Sequence, residues 1–309
     1  MQKQKSARNK TIDTPLEDNL EFFSRCLQKI SKNCRPDDII NKTICGDTFK
    51  ILPLLPREFV DLMIVDPPYN LTKNYHGNKF CEQDDKQYEK YTEQWIEAAK
   101  PLLKPNASIY VCCDWKSSLV IGNVLKKHFH IQNRITWERE KGRGAKSNWK
   151  NSMEDIWFAT CSNNYTFNLD TVKVRKKVIA PYKTNGTPKD WEQTADGNFR
   201  NTCPSNFWGD ISVPYWSMPE NTAHPTQKPE KLIAKLVLAS SNAGDVVFDP
   251  FSGSGTTSVV AKKLGRKYVD IEQNKTYCAW AEKRLESAES DTSIQGYSDG
   301  VFWERNSVR

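Results

Sequence analysis

Five consecutive residues, Asp66-Pro67-Pro68-Tyr69-Asn70, follow the apolar run Leu62-Met63-Ile64-Val65. A carboxylate, two stiff imino acids and an aromatic ring at the end of a strand suit the gripping of an amino group on a planar ring. Asp66 and the Pro67 carbonyl can accept the two N–H bonds of an exocyclic amine while Tyr69 stacks on the ring. The prolines hold these acceptors in place at low entropic cost. A second group, Asp249-Pro250-Phe251-Ser252-Gly253-Ser254-Gly255-Thr256-Thr257, leaves a strand and enters a helix. Its glycines allow a sharp turn and close approach to a ligand, and the N–H groups of the opening helix attract a carboxylate or phosphate. Glu272 stands seventeen residues after Gly255, where an acid grips ribose hydroxyls in doubly wound nucleotide-binding folds. Ser258 takes the third glycine position of the dinucleotide fingerprint, which favours a nucleoside cofactor over a dinucleotide. The blander readings, a proline-stiffened turn and an ordinary tight strand-to-helix turn, leave the carboxylate beside an aromatic and the well-placed acid unexplained.

Such groups must be carried by a scaffold, and the patterning predicts one. KTICGD reads as a short strand ending in a turn and VDLMIV as a buried strand. YTEQWIEAAKPLL reads as a helix, SIYVCCD as another buried strand, 116–128 as a helix and 131–137 as a strand. After residue 222 the alternation resumes: PEKLIAKLVLASS, DVVFDP, SVVAKKLG, RKYVDIE and TYCAWAEKRLES read helix, strand, helix, strand, helix. Alternation of this kind predicts an α/β fold with a doubly wound, mostly parallel sheet covered on both faces. Residues 1–35 read as a basic tail and a helix opened by Pro15, with Leu16, Leu20, Phe23 and Leu27 at helical spacing through ISKN. Residues 36–139 and 223–290 form the two halves of the core, 140–222 interrupt them, and 291–309 look irregular. So long an interruption usually carries function.

The two motifs together resemble those of amino-methyltransferases of bacterial restriction–modification systems, in the group whose catalytic motif precedes the cofactor motif. DPPYN is similar to the catalytic motif, DPFSGSGTT to the methionine-binding loop, HPTQKP (224–229) to the segment completing the cofactor pocket, and ICGD (44–47) to the acidic turn near the adenosine. The match covers roughly residues 40–138 and 222–286. It implies a seven-stranded-type methyltransferase sheet, S-adenosylmethionine as cofactor, and transfer of a methyl group to N6 of a flipped adenine in duplex DNA. Asp66, Pro67 and Tyr69 would be catalytic; Asp249, Phe251, Gly253, Gly255, Thr256 and Glu272 would hold the cofactor, with Asp47, Thr226 and Lys228 helping. An aspartate at the head of the motif goes with adenine, a serine with cytosine N4. His224 and Trp115 each have a structural reading as good as a functional one. The alternatives are the same chemistry on cytosine N4, on an RNA amino group, or a subunit that binds nucleic acid without catalysis; the intact Asp66, Gly253 and Gly255 speak against the last.

The interruption 140–222 is the expected target-recognition region. Between Arg134 and Asp190 twelve Lys/Arg face six Asp/Glu, a surplus of +6 within a chain of net charge +7, which suggests a phosphate-facing surface. In GRGAKSNWK, Arg143, Lys146 and Asn148 are candidates for base edges and phosphates. In KVRKKV, Lys173, Arg175, Lys176 and Lys177 would anchor phosphate, a solvated strand edge protected by lysines being the equal alternative. The expected partners are double-stranded DNA, a second copy of the chain and a cognate restriction endonuclease acting on the same site.

The nine cysteines show no C-x-x-C spacing, and the four histidines are not spaced with them as zinc ligands, so no metal is expected. Reduced buried thiols, no apolar run near a membrane span and a basic N-terminus without an apolar h-region place the chain in the cytoplasm, associated with the nucleoid.

Overall fold

Leu62 and Ile64 project to one face of their strand and Met63 and Val65 to the other, and all four are buried. A strand with no wet face must lie between helical layers. The computed structural model describes residues 6–75, 78–139, 147–178 and 183–304, and in it this strand is central to an eight-stranded sheet. The strands are β1 (Lys42–Cys45), β2 (Val60–Val65), β3 (Leu103–Cys113), β4 (His130–Glu138), β5 (Met153–Thr160), β6 (Phe207–Trp208), β7 (Val246–Asp249) and β8 (Lys267–Glu272), in the order β1-β8-β7-β2-β3-β5-β4-β6. Pairing is parallel from β1 to β3, antiparallel around β5, and parallel again between β4 and β6.

Five helices cover the sheet: α1 (Asp85–Ala99), α2 (Trp115–His128), α3 (Glu230–Ser240), α4 (Thr256–Lys263) and α5 (Lys275–Ser290). In α1 the side chains of Tyr88, Thr92, Trp95, Ile96 and Ala99 are buried at helical spacing, and the Asp84 carboxylate caps the first turn by accepting from Gln87 N–H. Trp95 is fully buried in the layer that packs α1 and α2 on Phe248, Val65 and Ile44; truncating such a side chain costs about 3–5 kcal/mol. The opposite layer packs α3 and α4 on Leu62, Ile64, Tyr110 and Phe158. Gly265, with φ +73°, ends the chain's turn after α4, where a glycine takes the αL conformation that closes a helix without a Cβ penalty.

Three expectations need correction. Met153–Thr160 falls in the 140–222 interruption yet pairs along both sides, with β3 and β4; its burial on both faces needs sheet neighbours, which local patterning does not reveal. The C-terminal residues are not irregular. Tyr297–Ser298 and Val301–Trp303 join Val174–Lys177, Gly197–Thr202 and Glu192–Thr194 in a second, five-stranded sheet, with Phe302 fully buried. Finally, the N-terminal helix stops at Ser24. Leu27 instead pairs with Ile44 at the sheet edge, its N–H donating to the Thr43 carbonyl.

Candidate active site

β7 runs through α4 to β8 on one side, and β2 through α1 to β3 on the other. The crossovers diverge between β7 and β2, and a crevice opens at the carboxyl ends of strands at such a switch point. Asp66 follows β2, Asp249 ends β7, Glu272 ends β8 and Asp47 follows β1. All four line one cavity of about 290 Å³, together with Pro67, Tyr69, Thr226, Lys228, Phe251, Gly253 and Thr256. The two motifs, far apart in the chain, therefore meet.

The catalytic loop is braced from three directions. Asn70 Nδ2 donates to the Gln83 carbonyl and its Oδ1 accepts from Gln83 N–H, both at 2.8 Å. Asn70 N–H reaches Ser117 Oγ on α2 at 3.1 Å, and the Tyr88 hydroxyl of α1 holds the Pro68 carbonyl at 3.0 Å. Buried Asn70 is thus the structural member of its motif.

Around Asp66 lies a buried polar cluster. The Lys228 ammonium meets Asp66 Oδ2 at 2.7 Å, the Tyr69 hydroxyl oxygen at 3.0 Å and Glu154 Oε2 at 3.3 Å. The Tyr69 hydroxyl lies 2.9 Å from Asp66 Oδ1 and 3.0 Å from Glu154 Oε2, and Arg139 pairs with the other oxygen of Glu154. Burial alone would lower the Lys228 pKa, but Asp66 and Glu154 outweigh it and hold the ammonium above the usual lysine range. Burial pushes Glu154 up, and Lys228 and Arg139 more than reverse this, leaving it below the usual carboxylate range. Burial, with Asp66 and Glu154 adding, raises Tyr69 far above an ordinary phenol. Lys228, expected among the cofactor residues, has its ammonium committed to the catalytic carboxylate instead. Glu154 and Arg139 were not foreseen. The available signal was Glu154-Asp155 opening the otherwise apolar EDIWFAT, since two adjacent acids at the head of a buried strand need partners.

The glycine loop is held by its own acids. Asp249 accepts from Phe251 N–H at 2.9 Å and from the Thr257 hydroxyl at 2.7 Å. Glu272 accepts from Gly253 N–H at 2.9 Å and Asn274 N–H at 2.7 Å. Burial pushes each carboxyl up to about 7. Gly253 has φ +55°, and a Cβ there would lie 2.9 Å from His224 Nε2, so the imidazole packs directly on the loop. Gly255, with φ +75°, does not line the cavity: a Cβ there would meet Ala281 Cβ of α5 at 2.6 Å. Its glycine serves helix packing and the opening of α4 rather than ligand contact. Asp47 caps the short helix Thr48–Ile51, accepting from Phe49 N–H at 2.9 Å. The residues present suit S-adenosylmethionine. The hydroxyls of Ser252 and Ser254, both in the cavity wall, are buried without a hydrogen-bond partner among the described residues, and a Cβ-free Gly253 sits beside acidic Glu272.

The basic segment is not the strand edge of the second expectation, and three of its basic residues are paired. Val174–Lys177 is hydrogen-bonded on both sides, to Gly197–Thr202 and Val301–Trp303, so it is no sheet edge. Lys173 pairs with Asp170 at 2.7 Å and Lys176 with Glu304 at 3.1 Å. Arg175 pairs with Glu192, lies over the rings of Phe199 and Trp303 at 5.2 and 5.5 Å, and is only 13% exposed; enclosed in this way, it is not presented to a phosphate. Lys177 is exposed, as is Asn148, whose Oδ1 accepts from Trp149 N–H at 2.7 Å. Arg143 and Lys146 lie outside the described residues. Trp115, about half exposed, begins α2 beside its Asp114 cap. Among the described residues Glu93, Glu97 and His128 have the spacing of metal ligands, but Lys127 already pairs with Glu93.

Known proteins agree with this geometry. Residues 60–283 match the family model described as DNA methylase. This chain belongs to that family. It is 36% identical over 265 residues to the DNA adenine methyltransferase YhdJ of Escherichia coli strain K12, covering 82% of this chain and 87% of that one. It is 34% identical over 249 residues to the Type II methyltransferase M.HpaI of Haemophilus parainfluenzae, covering 80% and 74%. Among solved structures, the M1.HpyAVI–SAM complex superposes with a TM-score of 0.54 at 25% identity, over 79% of this chain and 98% of that one. Among the described residues no helix is long and apolar enough to cross a membrane.

Proposed function

We propose that this protein is a site-specific DNA methyltransferase that transfers a methyl group from S-adenosylmethionine to N6 of a flipped-out adenine in duplex DNA. The observation that carries the reading is the convergence of Asp66, Pro67 and Tyr69 with the Gly253 loop and Glu272 in a single cavity. When bound, the cofactor supplies an electrophilic methyl on a sulfonium. Glu272, Asp47, Phe251, Thr226 and the loop of Ser252 to Thr256 are the residues to hold it.

An exocyclic amine is a poor nucleophile because its lone pair is conjugated into the ring. Asp66 and the Pro67 carbonyl accept its N–H bonds and turn the lone pair out of conjugation. The amine proton passes to Asp66 only after nitrogen has gained its fourth bond, so Asp66 need not be a strong base. Reaching the amine requires swinging the base out of the duplex, at a cost of a few kcal/mol. Stacking on Tyr69, worth about 1–3 kcal/mol, offsets part of this, and the anchored Tyr69 hydroxyl fixes the ring in advance. No thiolate is involved: Cys112 and Cys113, beside the site, are fully buried, and burial pushes both thiols well up.

Site choice falls to the surface built from 140–222, with Lys176, Lys177 and Asn148 among its exposed members and Arg143 and Lys146 nearby in sequence. A homodimer, a cognate endonuclease acting on the same site and a location on the nucleoid complete the reading. The test is transfer of labelled methyl to duplex DNA, single-stranded DNA and RNA, with the product base identified by mass spectrometry. N6-methyladenine in duplex DNA is the expected result; N4-methylcytosine, or transfer confined to RNA, overturns it.

A further inference from the structure

Lys228 presents three N–H bonds, and the cluster holds three oxygens for them: Asp66 Oδ2, the Tyr69 hydroxyl and Glu154 Oε2. The Tyr69 hydroxyl owns one proton and stands between two carboxylates, at 2.9 Å from Asp66 and 3.0 Å from Glu154. Glu154 is 4% exposed and comes from β5, an element with no part in the two motifs. We propose that Glu154 is a positioning residue for methyl transfer, which shares the Lys228 charge and the Tyr69 hydroxyl with Asp66 and so leaves Asp66 less fully neutralised and a stronger acceptor for the target amine.

The argument is one of charge. Without Glu154 the Lys228 ammonium has Asp66 as its remaining close carboxylate. Asp66 is then more fully neutralised and a weaker acceptor for an amine that turns cationic. Without Lys228, two carboxylates share one phenol with no cation between them, and a proton is retained there to higher pH. Other charged or titratable groups around the cluster are Arg139 on Glu154, Lys73 from the catalytic loop's side, Asp249 of the glycine loop, Cys112 near Lys228 and Tyr69, and Cys113 near Tyr69. Each is present in all the variants, so differences between variants report on Glu154 and Lys228.

This inference rests on the methyltransferase reading. The experiment measures kcat against pH on cognate duplex for the parent, Glu154→Gln and Lys228→Met, with KM for S-adenosylmethionine and thermal melting for each. Glu154→Gln should lower the plateau kcat by roughly 10- to 100-fold, move the acid limb to lower pH and leave the cofactor KM within a few-fold. Lys228→Met should move the acid limb to higher pH. Opposite displacements are not produced by a merely structural role. An active parent whose Glu154→Gln variant keeps its kcat and acid limb overturns the inference alone, as does a variant that loses activity solely through cofactor KM or unfolding. A well-folded parent that methylates no nucleic acid overturns the functional reading and this inference with it.

Discussion

Replacing Gly253 by alanine tests the cofactor loop at the point where two independent costs meet. The first is conformational: at φ +55° a residue with a Cβ costs about 1–2 kcal/mol. The second is steric. The new Cβ would lie 2.9 Å from His224 Nε2 and 3.0 Å from Cε1, so the imidazole must move. It packs edge-on against Tyr277, ring centroids 4.5 Å apart, a contact worth about 0.5–1.5 kcal/mol. Together these amount to about 1.5–3.5 kcal/mol, which lowers stability if the loop holds its shape and cofactor affinity if the loop yields. If all of it falls on binding, the loss is about 10- to 400-fold. Titration calorimetry with S-adenosylmethionine and urea unfolding should be run on Gly253→Ala, His224→Ala and the double variant. Removing the imidazole relieves the clash but not the backbone strain, so the double variant should recover about 1 kcal/mol relative to the sum of the single changes. Gly253→Ala matching the parent in both measurements would refute the reasoning, and strict additivity would refute the role of His224.

Asp66→Asn keeps shape and removes charge; it should depress transfer by about 100-fold or more while leaving cofactor affinity within a few-fold by calorimetry, and substantial residual activity contradicts the assigned role. Burial lifts Glu272 from its ordinary 4.5 to about 7. Its contribution to the stability of the cofactor-free protein is therefore full below about pH 4.5 and lost as pH rises to about 7, on the order of 3 kcal/mol at most. Urea unfolding of the parent and Glu272→Gln should show the parent's advantage shrinking across that window, and an advantage that grows instead reverses the sign of the argument. Changing Lys176 and Lys177 together to alanine should flatten the salt dependence of DNA binding by up to about 0.9 log units per lost contact. Arg175→Ala should leave that slope alone and destabilise the small sheet, since it removes an ion pair and two ring contacts. A slope unmoved in the lysine variant sends the DNA path elsewhere.

Much of the core could be read because its signals are local. DPPYN and DPFSGSGTT each sit at a strand end within a few residues, and buried strands such as LMIV and VVFD declare themselves by composition. What escaped was decided by long-range pairing. EDIWFAT reads as a strand, but nothing within it says that it lies between β3 and β4, and so nothing brings Glu154 to Asp66. Phe302 and Trp303 have no visible partner until Val174–Lys177 is known to lie beside them, which makes a tail look irregular. The same blindness hid the partners of KVRKKV: Glu192 and Glu304, which pair with Arg175 and Lys176, lie on separate segments. Leu27 fits a helical stripe and is captured by Ile44 instead, an example of tertiary pairing overriding periodicity.

One short segment joins the two functions of the site. His224 packs on Gly253 of the cofactor loop, and four residues later Lys228 grips Asp66 of the catalytic loop. The chain then enters α3 through Glu230, whose carboxylate is shared between Arg284 of α5 and Lys263 of α4, while Glu230 N–H is held by the Glu220 carboxylate at 2.7 Å. Residues 224–230 are thus anchored at their far end to the helices behind the glycine loop. The ammonium that holds Asp66 therefore stands on the same short segment as the imidazole that packs on Gly253. The two motifs, which share no direct hydrogen bond among the described residues, are bridged by a segment that belongs to neither, His224 packing on one and Lys228 pairing with the other.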